Sequence, residues 1–277
     1  MPELKEIATQ IRRDILRMVH GCTSGHPGGS LGCTEYFTAL FFRIMKHDPK
    51  FNMDAKNEDV FVLSNGHISP VYYSTLARAG YFDVSELGTF RRINSRLQGH
   101  PATHEHLPGI RIASGSLGQG MSVAIGAALT KKLNGEDTRV YSLHGDGELD
   151  EGQIWEAVMF AAHHNVDNLI VTIDRNGQQI DGPTDKVMKL GNVKAKFDEF
   201  GWSTLEIDGN NMDEVVNGLT EAGNLSGKGK PVAIIMHTIM GKGVTFMEND
   251  HNWHGVAPND AQLDQGLKGL PVTLGDY

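Results

Sequence analysis

The segment 140–180, VYSLHGDGELDEGQIWEAVMFAAHHNVDNLIVTIDRNGQQI, restricts the folds open to this chain more than any other stretch. It begins with an apolar run, Val140, Tyr141, Ser142 and Leu143, too short for a helix and closed by Gly145-Asp146-Gly147, which reads as a buried strand ending in a tight turn. From Leu149 the spacing becomes helical, with Ile154, Trp155, Val158, Met159 and Ala162 on one stripe until Asn165 and Asp167 break it. A second apolar run, 169–173, ends at Asp174-Arg175-Asn176. Strand, helix and strand in that order form a right-handed crossover, which makes the two strands parallel neighbours. Asp146 and Asn176 then arrive at adjacent carboxyl ends, where open α/β sheets bind their ligands.

A carboxylate and an amide oxygen converging there suit a hard cation, Mg²⁺ or Ca²⁺, and not zinc. Two protein oxygens leave an octahedral ion short of ligands. The backbone carbonyl of Gln178 supplies one more and a diphosphate two, and the glycines flanking Asp146 let a diphosphate approach the backbone closely. Alone, Gly-Asp-Gly is equally a plain turn and Asn176 a cap. The ordered strand and helix between them favour a ligand site.

This constellation resembles the thiamine-diphosphate motif, Gly-Asp-Gly followed about thirty residues later by Asn, and GDGELDEGQIWEA is close to the form found in transketolases. The resemblance implies an α/β fold, a mostly parallel sheet flanked by helices on both faces. It also implies thiamine diphosphate and a divalent metal held by Asp146, Asn176 and Gln178, with Gly147 against the cofactor.

The rest of the chain is compatible. Its 277 residues are enough for one large domain burying roughly three quarters of its unfolded surface. With 39% hydrophobic residues and 33 glycines it reads as a loop-rich α/β enzyme, neither disordered nor fibrous. A net charge of −9 lacks the basic face that nucleic acid demands. Cys22 and Cys33 have neither metal nor redox-pair spacing, as suits a reducing cytoplasm. The start, MPELKEIATQIRRDIL, is charged and amphipathic, unlike a secretory signal, and no apolar run approaches the roughly 18 residues of a membrane span.

In chain order, residues 4–19 carry apolar residues at helical spacing. CTSGHPGGSLG reads as a glycine-rich loop with His26 beside Pro27, and a second amphipathic helix is expected over 34–45. The run 59–64 reads as a strand ending in SNGH, which brings His67 to the same rim as Asp146. Residues 82–96 read as a polar helix, followed by Gly99-His100-Pro101. In THEHLPG, His104 and His106 flank Glu105, but with no further ligand nearby the run reads as a solvated loop. SGSLGQG (114–120) leads into an apolar helix; its glycine order is not the dinucleotide fingerprint, although a glycine loop opening onto a helix N-terminus suits an anion. A helix is expected to close over 197–201 and another to run over 212–222, with strands at 202–207 and 232–237, an exposed turn at GNLSGKGKP, and a weak helix with a polar tail over 263–277.

SGHPG with SLG, SNGH, GHP, SGSLGQG and the closing HTIMGKGVTFMENDHNWHG are similar to successive transketolase segments, so the resemblance spans nearly the whole chain. It implies His26, His67, His100 and His254 as active-site histidines, with His67 and His254 also near the cofactor; in the closing loop His254 fits better than His251. It further implies Gly115, Leu117 and Ile180 as cofactor contacts. Acids at a helix start, Glu148, Asp150 and Glu151, are explained by the helix dipole alone. The resemblance adds a second role for Glu151 and Glu156, whose counterparts belong to an acidic relay linking paired active sites, with Glu151 also counted against the cofactor. One departure is Ala102, where an acid usually follows Gly-His-Pro.

Transketolases are more than twice this length, and the sequence lacks counterparts of their pyrimidine-binding and C-terminal domains. The expectation is therefore a single pyrophosphate-binding domain over 1–277, the N-terminal subunit of a split transketolase. It would be active only with a separate C-terminal subunit, in an assembly of two copies of each chain, moving a two-carbon ketol unit between sugars. The rival readings are the α subunit of a 2-oxo-acid dehydrogenase, which is not expected to carry these histidine loops; deoxyxylulose-phosphate synthase, which SGHPG and GHP fit less well; and a non-catalytic cofactor-binding subunit.

Overall fold

The computed structural model describes residues 2–277. Its strands are β1 (Val60–Leu63), β2 (Val140–Gly145), β3 (Leu169–Arg175), the short β4 (Gln178–Gln179) and β5 (Gly182–Pro183), β6 (Ser203–Asp208) and β7 (Val232–His237). Five of them form a parallel sheet in the order β1-β2-β3-β7-β6, while β4 and β5 make a small antiparallel hairpin beyond the tip of β3. β2 and β3 are parallel neighbours as expected, with Gly145 level with Asp174, so Asp146 and Asn176 emerge together at the carboxyl edge.

Strand residues alternate between two cores. Phe61, Leu63, Tyr141, Leu143, Ile170, Val232 and Ile234 face helices α1 (Leu4–Gly21), α3 (Thr34–Ala39), α4 (Ser69–Arg78) and α9 (Met212–Leu225). Val60, Val62, Leu169, Val171, Ile173, Ala233 and Ile235 face α5 (Gly120–Leu133), α6 (Gly152–His163) and α8 (Val193–Glu199). A strand buried on both faces reads as a continuous apolar run, which is why these segments are legible in the sequence. Short helices α2 (Pro27–Gly32), α7 (Thr184–Val187) and α10 (Asp260–Lys268) complete the chain.

Several expectations are corrected. The glycine-rich stretch after Gly25 is not all loop, because Pro27 starts α2 in its first turn. Its glycines permit tight packing: a Cβ on Gly28 would lie 2.7 Å from Met240 Cγ and 2.8 Å from Trp253 O. The second helix, expected to be amphipathic, is buried throughout α3 and continues as a π turn over Leu40–Ile44. Residues 82–96 form no long helix, only a 3-10 segment at Val84–Thr89, because Arg91 (φ 56°) and Asn94 (φ 64°) adopt left-handed backbone. On α6 the buried stripe is Ile154, Ala157, Val158 and Ala161, leaving Met159 58% exposed. The end of the chain is also tied down: Arg13 pairs with Asp276 at 2.5 Å and Arg17 donates to the Tyr277 carbonyl.

Candidate functional site

A cavity of about 240 Å³ opens at the carboxyl edge of the sheet. The end of β1 brings in Asn65 and His67, and β2 brings in Asp146 and Gly147. Past β3 lie Asn176, Gln178 and Ile180, while the 114–120 loop contributes Gly115 and Leu117. His26, immediately before α2, and His254 from the closing loop complete the wall.

Asp146 is 1% exposed. Its Oδ1 accepts from Gly147 N at 2.9 Å; its Oδ2 accepts from Gly177 N at 2.7 Å and from Arg175 Nη1 at 2.8 Å. Burial, joined by the nearby Asp174 carboxylate, raises its pKa to about 6 against the pull of Arg175 and the Gly177 N–H. Arg175 also donates to Thr184 Oγ1 at 3.0 Å, tying the tip of β3 to the start of α7. Asn176 donates through Nδ2 to Asp174 Oδ2 at 2.8 Å and accepts at Oδ1 from Gln178 N at 2.9 Å. The buried Asp174 also accepts from Thr238 Oγ1, which fixes it behind the asparagine.

These donors fit a hard divalent cation carrying a phosphorylated ligand. Three contacts use three of the roughly four acceptor positions of the Asp146 carboxylate, leaving one. Among the described residues no group of three or more His, Cys, Asp or Glu side chains is arranged to hold a metal; an ion held by one carboxylate with amide and carbonyl oxygens would take its remaining oxygens from its ligand, the habit of Mg²⁺ with phosphates. The cavity wall is itself unsatisfied: His26 Nδ1, Asn65 Oδ1, Gln178 Oε1 and His254 Nδ1 are buried with no hydrogen-bond partner. Buried polar atoms are rarely left so, and four of them on residues that line one cavity give it a polar wall.

The histidines gather at the mouth. The His26 ring lies 5.1 Å from His67, 5.8 Å from His254 and 6.4 Å from His100, and His67 stacks on His254 at 5.2 Å. Burial, with His254, Arg91 and His100 adding repulsion, lowers His26 to about 4. Burial likewise lowers His67, His254 and His100. At neutral pH the rings are therefore uncharged, each offering one N–H and one lone pair to hydroxyl groups. His251 stands apart, half exposed beside Asp250, and His104 is an exposed neighbour of Glu105.

Not every residue named from the sequence lines the cavity. His100 is exposed beyond its wall, with its ring against Gly115, where a Cβ would lie 2.9 Å from His100 Cδ2. Glu151 and Glu156 are both exposed and do not line it; Glu156 borders a separate groove between α5 and α6. Ile180 is at the cavity but 63% exposed.

Other residues at the site carry little or no sequence signal. Arg175 falls in a strand end that otherwise announces only Asp174 and Asn176, and Asn65 is one letter of SNGH. Glu148, expected merely to complement a helix dipole, is instead 1% exposed and bonded on both carboxylate oxygens. The one available hint was its place directly after Gly147, where the chain is turning into the sheet edge.

Comparison with known proteins agrees with this architecture. The family profile described as transketolase, thiamine diphosphate binding domain, matches residues 4–270. The chain is 36% identical over 269 residues to one of the subunits of the apulose-4-phosphate transketolase of Actinobacillus succinogenes, covering 97% of this chain and 96% of that one. It is 42% identical over 246 residues to a 6-deoxy-6-sulfo-D-fructose transketolase subunit of Clostridium sp., covering 89% of this chain and 88% of that one. Human transketolase is 36% identical over 255 residues, 91% of this chain but 39% of the human protein. Among solved structures, transketolase from Campylobacter jejuni superposes with a TM-score of 0.89 at 33% identity, covering 97% of this chain and 43% of that one. With a strand order that puts Asp146 and Asn176 on one rim and a family match along almost its whole length, this chain belongs to the transketolase thiamine diphosphate binding domain family.

Proposed function

We propose that this chain is the N-terminal, diphosphate-holding subunit of a two-chain transketolase, a single pyrophosphate-binding domain over 1–277 that works with a separate C-terminal subunit. The observation that carries the reading is the cavity in which Asp146, Asn176 and Gln178 meet three of the four histidines. Relatives of matching length named as transketolase subunits support a divided enzyme.

Asp146, Asn176 and the Gln178 carbonyl would hold Mg²⁺, with Ca²⁺ as the alternative ion. Gly115, Leu117, Gly147, Ile180, His67 and His254 would hold the cofactor. Thiamine diphosphate, when bound, supplies the electron sink for carbon–carbon cleavage. The chain's own part is position and proton traffic. His26, His67 and His254 sit within about 6 Å of one another as neutral rings, so each can donate to one ketose hydroxyl and accept from another. His100, at the rim, extends that set toward the acceptor. The reaction moves a two-carbon ketol unit from a ketose to an aldose. The family membership supports a place in sugar metabolism of the pentose phosphate type, in the cytoplasm; among the described residues no helix is long and apolar enough to cross a membrane.

One seat for the partner would be the groove between α5 and α6, lined by Ile125, Leu129, Ala157 and Phe160, with Phe160 44% exposed. Exposed apolar clusters of this kind mark interfaces. Glu151 and Glu156 flank the same groove and would link paired sites in an assembly of two copies of each chain.

The test mixes the purified chain with its C-terminal subunit, thiamine diphosphate and Mg²⁺, then follows aldehyde release from a panel of ketose phosphates and sulfonated ketoses. Turnover by the mixture and none by either chain alone is expected. Turnover by this chain alone, or a requirement for a 2-oxo acid, would overturn the assignment.

A further inference from the structure

Glu148 lies one residue past the Gly-Asp-Gly turn and is buried among groups that the chemistry above does not use. Its Oε1 accepts from Gly118 N at 2.8 Å, from Ser64 Oγ and, at 3.3 Å, from His144 Nδ1. Its Oε2 accepts from Gly145 N at 3.1 Å. Ser64 Oγ in turn accepts from Gly120 N at 3.2 Å, and His144 Nε2 meets Ser142 Oγ at 3.0 Å. One carboxylate thus reaches the end of β1, the end of β2 and the backbone of the 114–120 loop. Burial opposes its ionisation, yet His144, Ser64 and the Gly118 N–H together hold it below the ordinary carboxylate value.

Apart from these bonds the 114–120 loop is held at its ends, by Ser114 N donating to the Pro101 carbonyl at 3.1 Å and by the side-chain amides of Gln119 and Gln153, which pair at 3.0 Å. Its contributions to the cavity are Gly115 and Leu117, and Gly115 and Gly118 are in left-handed backbone, at φ 130° and 85°. Ser114 Oγ is buried without a partner. A loop of this composition samples many conformations unless its N–H groups are held.

We propose that Glu148 is a positioning residue that clamps the 114–120 loop, through Gly118 N and the Ser64–Gly120 link, onto the strand end carrying Asp146, so that the two walls of the cavity form as one unit. The clamp presents Gly115 and Leu117 to the ligand at the same edge where Asp146 and Asn176 hold its charge. This rests on the cofactor reading above only for what the loop contacts.

Glu148→Ala removes both arms of the clamp at once, the acceptor of Gly118 N and Ser64 Oγ and the acceptor of Gly145 N. Amide hydrogen exchange on the full chain, without cofactor, is expected to accelerate about tenfold or more within 115–120 while β3 amides exchange as before. With the C-terminal subunit present, the Kd for thiamine diphosphate at saturating Mg²⁺ is expected to rise about tenfold, with kcat at saturating cofactor within about twofold. A folded variant whose loop exchange is unchanged overturns the clamp. A variant with faster loop exchange but unchanged Kd, or with an unchanged Kd and a lower kcat, overturns its role in presenting the loop to the cofactor. Should Glu148→Ala fail to fold, Ser64→Ala decides: it removes only the hydroxyl that relays to Gly120, and unchanged exchange at 118–120 overturns the proposal. If the unaltered complex binds no thiamine diphosphate, the functional reading falls while the exchange measurement still judges the clamp.

Discussion

His26 gives the sharpest quantitative handle on the site. Burial first, then the neighbouring His254, Arg91 and His100, place its pKa at about 4, whereas an unfolded histidine titrates near 6.5. The folded value is the lower one, so between these limits the unfolded chain binds more protons. The stabilising contribution is complete above about 6.5 and is lost progressively as pH falls toward 4. At pH 5.0 the difference from pH 7.5 is about 2 kcal/mol for this one residue, or about a thirtyfold change in the unfolding equilibrium. The perturbation is His26→Gln, which is neutral throughout and whose packing defect costs the same at both pH values. Asp146 has the opposite sign: its folded pKa, about 6, lies above the unfolded value, so it favours the fold at low pH and loses that contribution as pH rises through about 6. Its effect is common to both proteins and cancels in the comparison. Urea unfolding of the metal-free chain at pH 5.0 and 7.5 measures the four free energies. The variant should lose about 2 kcal/mol less than the unaltered protein on acidification. Equal losses, within about 0.5 kcal/mol, would mean that His26 is not held neutral, and that the ring cluster cannot act as a set of uncharged donors and acceptors at physiological pH.

Three further outcomes follow from the geometry. Asp146→Ala should weaken Mg²⁺-dependent thiamine diphosphate binding by more than about a hundredfold, above the range typical of outer-shell partners, as read by titration calorimetry with the partner subunit present; unchanged affinity refutes the ion site. Gly120→Ala places a methyl group on the Ser64 side chain, and urea denaturation should show a loss of about 1–3 kcal/mol. Arg13→Ala removes the ion pair to Asp276 and the bond to the Leu270 carbonyl, and should cost about 2–3 kcal/mol in the same assay, with normal activity once the complex is assembled in the cold.

What the sequence made legible was the part governed by periodicity and by local chemistry. β2, α6 and β3 follow from apolar runs closed by glycine and acid, and the adjacency of Asp146 and Asn176 follows from the handedness of one crossover. The misreadings lie where tertiary packing overrides local preference. Pro27 begins a helix that is half glycine because its surroundings leave little space for side chains, with Met240 and the Trp253 carbonyl against Gly28. Residues 82–96 have helical spacing, yet Arg91 is held in left-handed backbone by its bond to Leu97 and by its guanidinium donating to Ser24. Glu148 was misread for a related reason. A carboxylate at a helix start is stabilised wherever it points, so the dipole argument gives no sign of whether it faces water or the core. The partners that hold it, Ser64 and Gly118, are 84 and 30 residues away, and pairing at that distance has no signature in a single sequence.

The size of the cavity bears on why a second polypeptide is needed. Sites that enclose a whole ligand run to roughly 300–1,000 Å³. The space beside Asp146 is about 240 Å³, and its wall is most polar at the strand ends and least enclosed at Ile180. Such a volume holds one end of a ligand and leaves the other projecting past an isoleucine that is 63% exposed. An apolar side chain at the lip of a polar cavity gains nothing from water and about 25 cal/mol per Å² from being covered. That exposed side chain sets the condition that a partner covering this edge would meet: an apolar surface seated against Ile180.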